Sequence, residues 1–341
     1  MPPGRADGAR RRANIAGVPG PAAPAPPRAA PRCRRAGLAV LLAVLIGGCA
    51  VVDFEQRRWI FMPTTQAWGP GVAAAQGMTE VWIPFVSLHP EQRGEPVRLH
   101  GLWLPRREAA APVLLFLHGV RWDVRASAQR MRRLHALGFS VLSIDYRGFG
   151  LSSPGGLAAW RDTGRPAGLG EGPDPGASVG NSVPSETLAA EDARQAWAWL
   201  ARRHPGVPRY IAGHSIGANI AVRLAAEVGD ESGLIVEGGF LSSAEHFRSL
   251  RWGWLPITGL ITQHFDAGSR IADVGSPVLV VHGSEDTMIS PAMGRALYER
   301  AREPKRFLLV PGAVHEDTDA VGHAQLREAV RQFFGLRRQA E

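Results

Sequence analysis

An α/β fold with a mostly parallel central sheet and helices on both faces is what this sequence predicts, and three observations predict it. From about Val81 onward, strand-like and helix-like segments alternate, the order expected of a parallel sheet covered by its own crossovers. The run Val113-Leu114-Leu115-Phe116-Leu117 is apolar without interruption, as a strand buried on both sides should be. Finally, Gly213-His214-Ser215-Ile216-Gly217 separates an apolar strand from a helical pattern, which marks a sharp strand-to-helix turn in mid-chain.

The elements follow in order. Early strands are expected at Val81–Phe85 and Arg98–Leu104, then Val113–Leu117, which ends in His118-Gly119. A helix from about Ala126 to Leu137 stops at Gly138, a residue type that terminates helices readily, and Ser140–Asp145 is the next strand. Residues 154–183 break the rhythm with Gly, Pro, Ala and charge in no period, and read as an inserted loop. Pro184-Ser185-Glu186 opens a capped helix through Arg203. Strand Arg209–Ala212, helix Ala218–Val228, strands Leu234–Phe240, Val278–His282 and Arg306–Val310, and a helix over Gln325–Phe334 complete the chain.

The net charge of +8 points to nucleic acid only until it is located. Residues 1–48 hold eight arginines against the single acid Asp7, a surplus of seven, leaving 31 basic and 30 acidic residues in the rest. A near-neutral body gives no electrostatic ground for a DNA or RNA partner. The two cysteines, Cys33 and Cys49, both precede the body, which disfavours disulfides, a cysteine nucleophile and a zinc cluster there; no metal site is expected.

Residues 1–31 are too poor in apolar material to build a core. Arg32, Arg34 and Arg35 then precede an apolar run, Ala36–Gly48, and Cys49. A basic flank, a short apolar stretch and small residues at its end fit a secretory signal peptide better than a membrane span, with a short anchor helix as the alternative. The expected organisation is a leader over 1–48, a tether and N-terminal segment over 49–79, and a catalytic domain over 80–341 carrying the insert and, at about 242–270, a candidate lid.

G-x-S-x-G occurs twice. Gly176-Ala177-Ser178-Val179-Gly180 lies inside the Gly/Pro-rich insert, whereas Ser215 follows an apolar strand and opens a helix, the setting that exposes a nucleophilic hydroxyl above a sheet and puts unpaired helix N–H groups beside it. A serine hydroxyl needs a base within reach and a group to orient that base. Asp286 is the choice for the acid, after strand Val278–His282, with Glu285 its rival. His315, after strand Arg306–Val310, is the choice for the base, and His323 is expected at the surface.

His118-Gly119, Asp145-Tyr146-Arg147-Gly148-Phe149-Gly150, Pro184-Ser185-Glu186, Gly213–Gly217, Pro277–Asp286 and Gly312–His315 together resemble the α/β-hydrolase superfamily, in the serine-aminopeptidase-like branch that includes the membrane-associated ABHD depalmitoylases. The resemblance implies an α/β-hydrolase fold and Ser215, Asp286 and His315 as nucleophile, acid and base. It also implies an oxyanion hole from the backbone N–H groups of Val120 and Ile216. Many relatives carry Asn where Val120 stands, and the link holding the insert is normally a few residues. The stretch Ser242–Arg270, where relatives carry lid elements, places Trp252, Trp254, Leu255, Ile257, Leu260, Ile261 and Phe265 at helical spacing, a pattern read first as core and second as an acyl-chain groove or bilayer contact.

The expected activity is hydrolysis of an ester or thioester, lipid among the candidates, through an acyl-enzyme and without a cofactor. An amide or peptide substrate is the runner-up, and a silent binding scaffold is the rival from another class. Leu45-Ile46-Gly47-Gly48-Cys49 resembles the bacterial lipobox, which implies lipid attachment at Cys49 and a place in the cell envelope. Ala50 at the following position favours the outer membrane by that resemblance; the alternative is a secreted, soluble protein.

Overall fold

The computed structural model describes residues 48–63, 69–121, 123–152 and 183–336. All but Gly48 belong to one compact unit, Cys49–Glu341. The insert expected at 154–183, apart from Val183, and its G-x-S-x-G copy lie outside the described residues, as does the apolar run before Gly48.

Eight strands form one sheet: β1 (Thr79–Val86), β2 (Pro96–Leu104), β3 (Val113–Leu117), β4 (Ser140–Ile144), β5 (Arg209–His214), β6 (Gly233–Glu237), β7 (Val278–Gly283) and β8 (Lys305–Val310). Their spatial order is β1-β2-β4-β3-β5-β6-β7-β8. β1–β2 and β2–β4 are antiparallel and every other pairing is parallel. The expected architecture is therefore the one observed.

Helices cover both faces. Residues 48–61 form α1; then come α2 (Gly69–Ala75), α3 (Ala128–Ala136), α4 (Glu186–Arg203), α5 (Ile216–Val228), α6 (Ser243–Ser249), α7 (Pro291–Arg300), α8 (Thr318–Val321) and α9 (His323–Phe333). Strand alternation sorts the core into two clusters. Val113, Leu115 and Leu117 of β3 pack with α4, α5 and α7 through Leu200, Ile220 and Leu297, while Leu114 and Phe116 pack with α3 and α9 through Met131 and Val330. Successive side chains of a strand point to opposite faces, so an unbroken apolar run is what a twice-covered strand requires.

Two boundaries differ from expectation for physical reasons. The strand expected over Leu234–Phe240 ends at Glu237 because Gly238 takes φ +59°, a left-handed conformation that ends a ladder and that glycine adopts cheaply. The helix expected from Ala126 begins as a 3-10 turn, Val124–Ser127, capped by the Asp123 side chain on the Arg125 N–H, and becomes α3 only at Ala128.

The 242–270 stretch departs further. Only α6 is helical in the α sense; the remainder is turns, irregular chain over 261–267 and a short 3-10 segment, Thr258–Leu260. Phe265 is buried as a core residue, but Trp252, Trp254, Ile257 and Leu260 are exposed. Helical spacing in the sequence does not correspond to one packed helix face here. The ends of the stretch are pinned instead: Asn219 of α5 donates Nδ2–H to the carbonyls of Phe240 (2.8 Å) and Phe265 (2.6 Å).

Candidate active site

The site forms where β5, β6, β7 and β8 end, the edge at which open α/β sheets bind ligands. β5 delivers Ser215, and the turn into α5 holds it at φ 59°, ψ −128°. A non-glycine residue there is strained by about 1–3 kcal/mol and must be over-determined by its surroundings. Ser215 N–H donates to the Glu237 carbonyl (3.0 Å), and the Ser215 carbonyl accepts from Ala218 N–H (2.9 Å). The two flanking glycines are required by close approach. A Cβ at Gly213 would collide with the Gly217 carbonyl, and one at Gly217 would collide with the carbonyls of Leu117 and His118.

Opposite Ser215 runs the loop after β3. A Cβ at Gly119 would lie 3.3 Å from the Ser215 Cβ, so this loop passes directly over the serine. Tyr146 Oη–H donates to the His118 carbonyl (3.0 Å), and His118 Nδ1–H donates to the Gly119 carbonyl (2.7 Å). Burial lowers the His118 pKa, so that ring is a neutral wall. The backbone N–H groups of Val120 and Ile216 find no acceptor among the described residues. Ile216 directly follows Ser215, and Val120 directly follows Gly119, the residue of the β3 loop that approaches the serine.

Asp286 and His315 meet. His315 Nδ1–H donates to Asp286 Oδ2 at 2.7 Å, both side chains being buried. That bond fixes the tautomer and leaves Nε2 as the basic atom, and Nε2 is buried without a partner among the described residues. The other carboxylate oxygen accepts N–H bonds from Met288 (2.9 Å) and Ile289 (2.8 Å). Burial alone would raise the Asp286 pKa, but bonds from His282, His315 and Ile289 outweigh it and hold the carboxyl well below the usual range, so Asp286 stays ionised at neutral pH. Its rival Glu285 is exposed, with the Ser284 hydroxyl for a partner. His323 begins α9, contacting Arg327 on that helix, and has no bond to the site.

Ser215 is not hydrogen-bonded to His315 in this structure; the link between them runs through His214. Its Nε2–H donates to the His315 carbonyl (2.9 Å), and the two imidazoles lie with centroids 4.8 Å apart and planes tilted by 42°. Burial, then the Arg130 guanidinium and His315, push the His214 pKa well down. A neutral ring next to the serine thus supports the ring carrying the base.

Two further supporting groups, His282 and Arg130, carry no signal of their own in the sequence. His282, wholly buried at the end of β7, donates Nε2–H to the Ile289 carbonyl (2.9 Å) and lies 3.3 Å from Asp286 Oδ2, bracing the loop that presents the acid. Arg130 of α3 pairs with Glu237 at the end of β6, lies 3.1 Å from Asp319 Oδ1 and donates to the Glu316 carbonyl (3.0 Å). It therefore ties the residue after His315 to the residue whose carbonyl holds Ser215. A glutamate in an otherwise apolar strand run was the available signal, since a buried charge demands a partner; nothing in the sequence tells which arginine supplies it.

Residues 108–269 match the family model described as serine aminopeptidase, S33. An uncharacterized protein of Mycobacterium tuberculosis is 31% identical over 309 residues, covering 89% of this chain and 96% of that protein. The chain belongs to the α/β-hydrolase superfamily. The lysophosphatidylserine lipase ABHD12 of Danio rerio is 26% identical over 217 residues, 58% of this chain and 49% of that protein. Among solved structures, the Pyrococcus furiosus esterase Pf2001 superposes with a TM-score of 0.54 at 17% identity, over 80% of this chain and 95% of that one, a likeness of fold. The chain is accordingly a hydrolase of the α/β-hydrolase type.

Proposed function

We propose that this α/β hydrolase is a serine hydrolase that cleaves ester or thioester bonds through an acyl-enzyme on Ser215. The observation that carries the reading is the strained Ser215 elbow set beside a neutral His214 that supports His315, which in turn is oriented by an ionised Asp286. His315 Nε2 takes the proton as the serine oxygen attacks the substrate carbonyl, and the Val120 and Ile216 N–H groups stabilise the oxyanion. The C–O or C–S bond then breaks as His315 returns the proton to the leaving group. Water repeats the sequence on the acyl-enzyme, and Asp286 balances the charge that His315 acquires in each half-reaction. The lipase among the relatives and the exposed apolar side chains beside the acid and the base, Met288 and Val314, favour an acyl-lipid substrate; an amide is the second reading within the same chemistry.

A fluorophosphonate probe tests this against a silent scaffold. Wild type is expected to be labelled stoichiometrically, Ser215→Ala to remain folded and unlabelled, and a folded but unlabelled wild type would overturn the assignment. Attachment to a bacterial membrane, the outer membrane for preference, through acylated Cys49 belongs to the same proposal; Cys49 is exposed at the start of α1. Metabolic labelling with a palmitate analogue is expected to mark wild type and not Cys49→Ala, and equal incorporation by both would remove the anchor from the reading.

A further inference from the structure

α1 follows Cys49 directly but is not a loose tether. Gln56 Nε2–H donates to the Leu260 carbonyl (2.6 Å), Gln56 Oε1 accepts from Thr262 N–H (2.9 Å), and Asp53 accepts from Gln263 Nε2–H (2.8 Å). At the far end Phe61 is wholly buried, its ring 5.6 Å from that of Phe265 and 6.3 Å from that of Phe149. The helix is thus clamped along the far end of the 242–270 stretch. No described helix is long and apolar enough to cross a membrane.

Clamping leaves apolar side chains outside. Val52, Gln56 and Trp59 fall at i, i+4 and i+7, one edge of the helix, so Val52 and Trp59 flank the side chain that grips Leu260. Trp59 is 77% exposed, Leu260 61% and Trp254 73%, and Trp252 and Ile257 are exposed as well. Single exposed apolar residues are ordinary, but five or six drawn from two segments bonded to each other mark an interaction surface. An arginine lies beside one of its aromatic rings: Arg251 is 5.5 Å from the Trp252 ring.

Two features select a lipid bilayer as the occupant. The sequence that enters α1 is the apolar run Ala36–Gly48 followed by Cys49, so a membrane attachment through that run or that cysteine would hold the start of α1 within reach of the membrane. Tryptophan with neighbouring arginine is also the combination suited to headgroup depth, where the ring is half immersed and the guanidinium reaches water. We propose that the surface made by α1 and the 250–260 turns lies on the bilayer, with Trp59, Trp254 and Leu260 among the acyl chains. The hydrolase would then be seated at the interface rather than swinging on a tether. This inference rests on the membrane half of the proposed function and deepens it.

The test uses the full chain carrying Cys49→Ser, which prevents acylation, mixed with phosphatidylethanolamine–phosphatidylglycerol vesicles whose acyl chains are brominated. Bromine quenches only indoles that reach it. Quenching is expected, and Trp59→Phe and Trp254→Phe should each remove a separable share of it. Trp59→Glu should weaken vesicle partitioning by about tenfold or more, the loss expected from one large side chain that no longer inserts, while turnover of a short water-soluble ester stays within twofold. Vesicle binding with Trp59 and Trp254 unquenched would overturn the proposal, as would no binding at all. So would a concentration-dependent dimer abolished by Trp59→Glu, which would make the face a contact between copies. Since the readout needs no turnover, a chain that inserts but hydrolyses nothing would sink the enzyme reading alone.

Discussion

His315→Ala is expected to lower kcat/KM for a soluble ester by about 10⁴-fold or more, with the fold and its melting temperature nearly unchanged. In the proposed mechanism the His315 imidazole accepts the Ser215 proton, and alanine at that position would leave the serine without its base. Asp286→Asn should cost roughly 10⁴-fold, because the amide cannot accept Nδ1–H as the carboxylate does and so favours the wrong tautomer. Glu285→Ala should stay within twofold, since its exposed carboxylate has no bond to His315. Single-turnover measurements on all three variants check this. An Asp286→Asn enzyme as active as wild type, or an inactive Glu285→Ala enzyme, would mean that the acid has been assigned to the wrong neighbour.

The contrast between those two acids shows where sequence is a sufficient guide. Both follow strand β7, and order along the chain cannot separate adjacent residues; one backbone turn, with Asp286 accepting from Met288 and Ile289, turns one inward and leaves the other in water. Ser215 was legible because its strand and helix are local patterns, and strand alternation likewise made the sheet legible. The stretch 250–261 was misleading, since helical spacing of tryptophan and leucine cannot reveal that the chain there forms turns with outward side chains. Arg130 and His214 act through contacts between segments 186 and 101 residues apart, with Glu316 and His315, and no local pattern encodes those; His282 braces a turn only four to seven residues on, but an apolar strand ending in histidine does not announce that role.

Arg147→Met is expected to be the most destabilising substitution outside the site, by about 3–5 kcal/mol, the usual cost of stripping one partner from a buried ionic network. Arg147 is 1% exposed; its Nε–H and backbone N–H both donate to Asp192 (2.7 and 2.8 Å), and Nη1 reaches Ser87 (3.0 Å) and Gln92 (2.7 Å) while Nη2 meets Glu191. Methionine fills much of the volume but leaves two buried carboxylates without their cation. For a domain of this size the melting temperature should fall by on the order of 10 °C. The effect should depend on pH in a defined direction. Burial already raises the Asp192 pKa to about 6 against the pull of Arg147, and losing the guanidinium must raise it further. A carboxyl whose folded pKa lies above its unfolded value gives its stabilising contribution below the unfolded pKa and loses it as pH rises through the folded one. The variant should therefore be closer to wild type at pH 5 than at pH 8, and adding Asp192→Leu should recover part of the loss at pH 8 by removing the stranded charge. Differential scanning calorimetry across that range decides it: a deficit independent of pH would assign the cost to packing. The same residue fixes the turn Gly148-Phe149-Gly150, and the Phe149 ring stands 5.4 Å from that of His118, so the variant that survives folding should also lose turnover, through the loop that carries Val120 past Ser215.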